Sequence, residues 1–89
     1  MPRVAFTAQL RRFVEVPEFD SDAATLREAL EEAFRTHPRL QGYVLDDQGH
    51  LRRNVVVFID GQRSRDRRAL DDPLAGTRRV DVLQALSGG

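Results

Sequence analysis

At 89 residues, 40% apolar and 31% charged, the chain fits one soluble globular domain with a single modest core, which excludes a disordered segment and a multi-domain enzyme. It contains no cysteine, which rules out disulfides, a thiolate nucleophile and thiolate metal sites. Its formal net charge is zero, so bulk attraction to nucleic acid or to a membrane surface is not indicated.

No apolar run approaches the roughly 20 residues of a membrane span. The opening MPRVAFTAQLRR is too interrupted for a signal peptide, so the expected compartment is the cytoplasm. The charges are unevenly placed. From Glu15 to Glu32 seven acids face one base, Arg27; from Arg52 to Arg79 eight arginines face four aspartates. This segregation suits an oriented encounter with a charged partner. Every base is an arginine, and there is no lysine.

RVAFTAQL, residues 3–10, alternates with Val4, Phe6, Ala8 and Leu10 on one side, which predicts a strand. RRFVEV, residues 11–16, follows with almost no linker and predicts the second strand of a hairpin, with Val14 and Val16 on one side and Pro17 ending it. TLREALEEAFRTHP predicts a helix. Thr25 and Glu28 have the spacing of a capping box, in which each side chain serves the other's backbone amide. Leu26, Ala29, Leu30, Ala33 and Phe34 share one stripe, required for the domain's own core. Pro38 stops the helix.

RLQGYVLDDQGHL is a connector, with Tyr43, Val44 and Leu45 expected to tuck back onto the body and DDQGH to turn. NVVVFIDG predicts a strand apolar on both faces, hence one buried on both sides. Asp60-Gly61 is a tight-turn signal, and Gln62 onward is a short returning edge strand. RDRRALDDPLAGTRR is a loop anchored by Leu70 and Leu74. RVDVLQAL is the last strand, with Val80 and Val82 on one face, and Leu83 and Ala85 divided between the core and an exposed patch.

One helix and four or five strands in this order have one economical packing. The helix lies across one face of a mixed sheet, and the first and last strands run side by side in its middle. The fold class is α+β, a β-grasp. The expected domain is residues 1–86, followed by a flexible Ser-Gly-Gly tail at 87–89.

The strand–hairpin–helix order, NVVVFIDG in mid-chain, LDDPLAG before the final strand and QALSGG at the terminus together resemble the MoaD/ThiS family of ubiquitin-like sulfur carriers. The resemblance covers nearly the whole chain. It implies that the Gly89 carboxylate is adenylated and converted to a thiocarboxylate, whose sulfur passes to an acceptor. The chain is then a protein cosubstrate and not an enzyme. The implied partners are a ubiquitin-activating-type adenylating enzyme and a sulfur-acceptor synthase. No cofactor is bound by the chain itself; ATP is used by the activating enzyme. The stretch GTRRV departs from the family's Gly-Asp and β-branched lead-in, which bears on which enzyme is matched. The long segment HPRLQGYVLDDQGHLRR leans toward the small subunit of molybdopterin synthase over thiamine-pathway carriers.

Glycine suits such a terminus. Without a Cβ, Gly88 and Gly89 let the backbone and the carboxyl carbon approach catalytic groups closely. Threading two glycines costs entropy, which docking of the folded body must offset. Leu83 and Leu86 offer apolar anchors and Arg78 and Arg79 bidentate partners for carboxylates, so these four are the candidate docking residues, with Arg63, Arg65, Arg67 and Arg68 nearby in sequence. The absence of lysine removes amines that would capture an activated terminus.

Other chemistries find little support. Ser21, Ser64 and Ser87 lie outside any G-x-S-x-G elbow, His37 and His50 lack metal-ligand spacing, and no P-loop or G-x-G-x-x-G is present. Two alternatives to sulfur carriage stand. One is a ubiquitin-like modifier joined to targets through Gly89. The other is a non-catalytic β-grasp module whose arginines grip an acidic protein or RNA.

Overall fold

The computed structural model describes residues 1–6 and 17–84. Five strands form one mixed sheet: β1 (Arg3–Phe6), β2 (Phe19–Asp20), β3 (Val55–Ile59), β4 (Gln62–Arg63) and β5 (Arg79–Gln84), in the order β2-β1-β5-β3-β4. Helix α1 (Leu26–Thr36) crosses one face; a 3₁₀ turn (Pro38–Leu40) and a short helix α2 (Gln41–Val44) follow it. This is the expected β-grasp. The first and last strands are central and parallel, pairing Val4 with Val80 and Phe6 with Val82. β3 completes the centre antiparallel to β5, with Val57 opposite Val82 and Ile59 opposite Val80.

The core lies between α1 and the near face of the sheet. Val4, Phe6, Val55, Val57, Val80 and Val82 from the strands meet Leu26, Ala29, Leu30, Ala33 and Phe34 from the helix. Leu40, Val44, Leu45 and Leu51 seal one side and Leu70 and Leu74 another, with Tyr43 packed at the margin. The stripe on α1 and both loop anchors thus take the places their spacing predicts.

The structure adds a short strand that the sequence reading did not include. Residues 11–16, read as the second strand, lie outside the described residues, as do 7–10. Beyond Pro17, Phe19 and Asp20 pair antiparallel with Val4 and Arg3. Proline removes only its own amide donor, and the partly buried Phe19 packs against the core two residues later.

Caps and turns are chemically specified. Thr25 Oγ1 accepts from the Glu28 amide at 3.3 Å, while the Glu28 carboxylate accepts from the Ala24 amide at 3.1 Å. The Thr25 half of the capping box is as expected, and the return bond from Glu28 falls one residue earlier, on Ala24. Arg27 ties the helix to two loops, donating to the carbonyls of Gly49 (3.1 Å), Arg68 (2.6 Å) and Ala69 (3.1 Å). Asp60 and Gly61, at φ 50° and 84°, make the tight turn between β3 and β4. The Asp60 carboxylate then accepts from the amides of Arg78 (3.0 Å) and Arg79 (2.9 Å), fixing the start of β5.

β3 is not buried on both sides. Val55 and Val57 are buried in the core, whereas Val56 and Phe58 on the opposite face are half-buried. A single helix covers one face of the sheet only.

Replacing Asp60 by Ala removes two charge-assisted bonds to the β5 backbone and is expected to cost about 1–2 kcal/mol, read as a lower urea midpoint with an unchanged slope. Acid acts on two other turns. Asp46 is held below its ordinary value by the His50 and Gln48 amides, and Asp66 by those of Arg68 and Ala69. Their support is complete above the ordinary aspartate range and is lost as pH falls through the lowered folded values. An Asp46→Asn/Asp66→Asn double variant is expected to show a shallower fall of melting temperature across that acid range.

Candidate functional site

The far face of the sheet, opposite α1, is built by strand alternation. In β5, Val80 and Val82 point into the core, so Arg79, Asp81 and Leu83 point away. In β3, Val56 and Phe58 point the same way; Val56 stands opposite Leu83 and Phe58 opposite Asp81. Ala5 of β1, only 6% exposed, flanks Asp81 on the other side, and Arg63 of β4 flanks Phe58. Val56, Phe58 and Leu83 thus form an apolar patch beside the last described turn of β5, with charge along its edges.

The candidate residues separate on this surface. Leu83 lies within the patch. Arg79 and Arg78 lie at the start of β5, about 17 Å along the strand from Gln84 at 3.3 Å per residue. Arg79 is already engaged. Its Nε donates to both oxygens of Asp81 at 2.9 and 3.1 Å, and its Nη2 stands 3.7 Å from Glu18. Arg3 pairs with Asp20 at 3.3 Å on the same row. Arg78 is exposed, with its amide on Asp60. Leu86, Gly88 and Gly89 lie outside the described residues.

The arginines grouped in sequence at 63–68 disperse in space. Arg63 sits on the edge strand, Arg65 pairs with buried Asp72 at 3.5 Å, and Arg67 donates to the Arg52 carbonyl. Val56 and Phe58 were missed as surface residues because an all-apolar strand looks the same whether two faces are covered or one. The signal that finds them is the helix count: one amphipathic helix cannot shield both sides of a sheet.

A cleft of about 380 Å³ lies on the helix side, between α1 and residues 41–49, lined by Arg27, Leu30, Phe34, Gln41 and Leu45. It contains no nucleophile paired with a base. Among the described residues, no three His, Asp or Glu side chains gather as they would around a metal ion, and no helix is long and apolar enough to cross a membrane.

This geometry sets the comparison with known proteins. The sequence matches the ThiS family over residues 4–89, and the chain belongs to that family. No curated protein matches the sequence. Among solved structures, SAMP1 from Haloferax volcanii is similar at 26% identity and a TM-score of 0.77, over 98% of this chain and 97% of that one. CysO, in the BexX/CysO complex of Amycolatopsis orientalis, has the same fold at 18% identity and a TM-score of 0.79, over the whole of both chains. Small archaeal modifier protein 1 from Methanosarcina acetivorans has it at 22% identity and a TM-score of 0.76, over 98% and 94%. The chain has the ubiquitin-like carrier and modifier fold, and carriers of this type are generally not catalysts themselves.

The assignment of faces is testable by stability. Val57→Ala is expected to cost about 2 kcal/mol as a core truncation. Phe58→Ser, on the uncovered face, is expected to cost less despite deleting a larger side chain; chemical denaturation of both variants measures the order.

Proposed function

We propose that this protein is a sulfur carrier whose reactive group is the carboxylate of Gly89. The supporting observation is the family match, which runs through Gly88 and Gly89. A carboxylate is a poor acyl donor. A ubiquitin-activating-type adenylating enzyme joins it to the AMP moiety of ATP and releases pyrophosphate. A sulfide-level nucleophile then forms the carbon–sulfur bond as AMP leaves, giving a thiocarboxylate. The sulfur passes on to a substrate held by an acceptor synthase. None of these steps needs a catalytic side chain from this chain. The molybdopterin-type synthase is the acceptor we favour, on the length of the segment between α1 and β3.

The body's part is recognition. Val56, Phe58 and Leu83 give a partner an apolar seat, and Leu86, Gly88 and Gly89 follow in sequence toward its active site. Removing apolar area from water there offsets the entropy of threading two glycines. The Arg79–Asp81 pair adds a fixed dipole at the patch edge. The role of Arg78 and Arg79 is secondary in this reading, because they stand at the opposite end of β5.

Likeness to SAMP1 supports a second reading, conjugation of Gly89 to amines on target proteins. Mass spectrometry separates the two. Incubated with ATP, a sulfur source and an adenylating enzyme from its own genome, the protein is expected to gain the mass of one oxygen exchanged for sulfur, and a variant lacking Gly89 to gain nothing. Heavier adducts on other proteins would favour conjugation. An unmodified wild-type chain would overturn both. Leu83→Arg is expected to slow the modification at least tenfold through weakened docking, measured as initial rate against carrier concentration.

A further inference from the structure

The turn leading into β3 lies at the end of the sheet where β5 finishes. Val55 pairs with Gln84, the last described residue of β5, and the Val55 amide closes the turn on the Arg52 carbonyl at 3.0 Å. Arg53 is exposed at the tip of this turn. Arg52 in the same turn and two distant segments bring further arginines to it. Arg52 Nε donates to the Gly42 carbonyl at 2.6 Å. Arg39, exposed in the 3₁₀ turn, precedes Gly42 by three residues, about one helical turn. Arg67 Nη2 donates to the Arg52 carbonyl, and the Leu51 amide donates to the Arg67 carbonyl at 2.9 Å.

Among the described residues, none of these four arginines forms an ion pair with a carboxylate; the ion pairs present belong to Arg3, Arg65 and Arg79. The neighbouring acids are occupied. Asp46, near enough to Arg52 to feel its charge, accepts from the amides of Gln48 (2.9 Å) and His50 (3.0 Å). Asp66 accepts from those of Arg68 (2.8 Å) and Ala69 (3.2 Å). Carboxylates that satisfy their own backbone leave these guanidiniums without an ionic partner, although Arg52 and Arg67 each give one donor to a backbone carbonyl.

We propose that Arg39, Arg52, Arg53 and Arg67 form a cationic collar beside the end of β5, and that this collar docks against a carboxylate-lined rim on the enzyme that receives the terminus. The inference rests on the reading of Gly89 as the reacting end. Guanidinium groups pair with carboxylates in planar, bidentate geometry, which fixes orientation as well as attraction. Such complementarity acts mainly on the rate of encounter and weakens with salt. An acidic protein surface fits better than nucleic acid. Glu28 and Glu31, on exposed positions of α1, would repel a polyanion extending over the helix.

Two measurements on the full chain test this. In the first, the isotope-labelled protein is titrated with a hexaglutamate peptide and followed by amide chemical shifts. Shifts at Arg39, Arg53, Asn54 and Val55 that disappear at high salt are expected. Shifts confined to Arg63–Arg65 or Arg78, no shifts at all, or tighter binding of a short oligouridylate would overturn the collar. In the second, activation by the adenylating enzyme is compared for wild type, Arg53→Glu and Arg39→Glu/Arg53→Glu. A drop of about tenfold at low salt that closes as salt rises is expected. Equal rates with equal salt dependence would overturn the proposal while leaving sulfur carriage intact. If the wild type is not activated, the functional reading fails, and the peptide titration alone decides the collar. Arg53 is exposed at a turn tip, and an unchanged circular dichroism spectrum confirms that the variants fold.

Discussion

Parallel pairing between the first and last strands organises the molecule. Val4 beside Val80 and Phe6 beside Val82 bring together residues more than seventy positions apart in the chain and place both in the layer beneath α1. Everything else is arranged around that pair. β2 and β3 flank it, the helix packs on one side of it, and the loops seal its margins with Leu40, Leu51, Leu70 and Leu74. Because the two strands are parallel, they must be joined by a crossover connection. α1 lies within that connection, which also includes β3 and β4.

Having only one main helix then decides which face of the sheet is packed and which is left half-exposed. The core needs a single covered face, and the helix stripe supplies it. The other face keeps Val56, Phe58 and Leu83 half-exposed among ion pairs. Among the described residues no second helical layer covers that face, which leaves it open to a partner. The family match and the likeness to carrier and modifier folds agree with that economy.

Local pattern made much of this legible before any coordinates. The spacing of Leu26, Ala29, Leu30, Ala33 and Phe34 located the helix and its buried stripe, and Asp60-Gly61 located a turn whose two residues have positive φ. Leu70 was recognisable as an anchor, though not its positive φ of 53°. What escaped the sequence is information carried by tertiary arrangement. β3 alternates nothing, so its wet face could not be told from its dry one. The arginines at 63–68 looked like one cluster because they are adjacent in the chain, yet backbone bonds send Arg67 toward Arg52 and leave Arg65 with Asp72. The short strand at Phe19 and Asp20 was not legible, because the packing of Phe19 against the core is not a local fact.

The shared direction of β1 and β5 has a practical reach. Residues ahead of Arg3 emerge beside Arg78, at the end of the sheet away from Gln84. A fluorophore, affinity handle or surface tether attached there hangs from the pole opposite Gln84. The protein can therefore be immobilised or imaged by its leading end while the end of the sheet that carries Gln84 and Val55 stays clear.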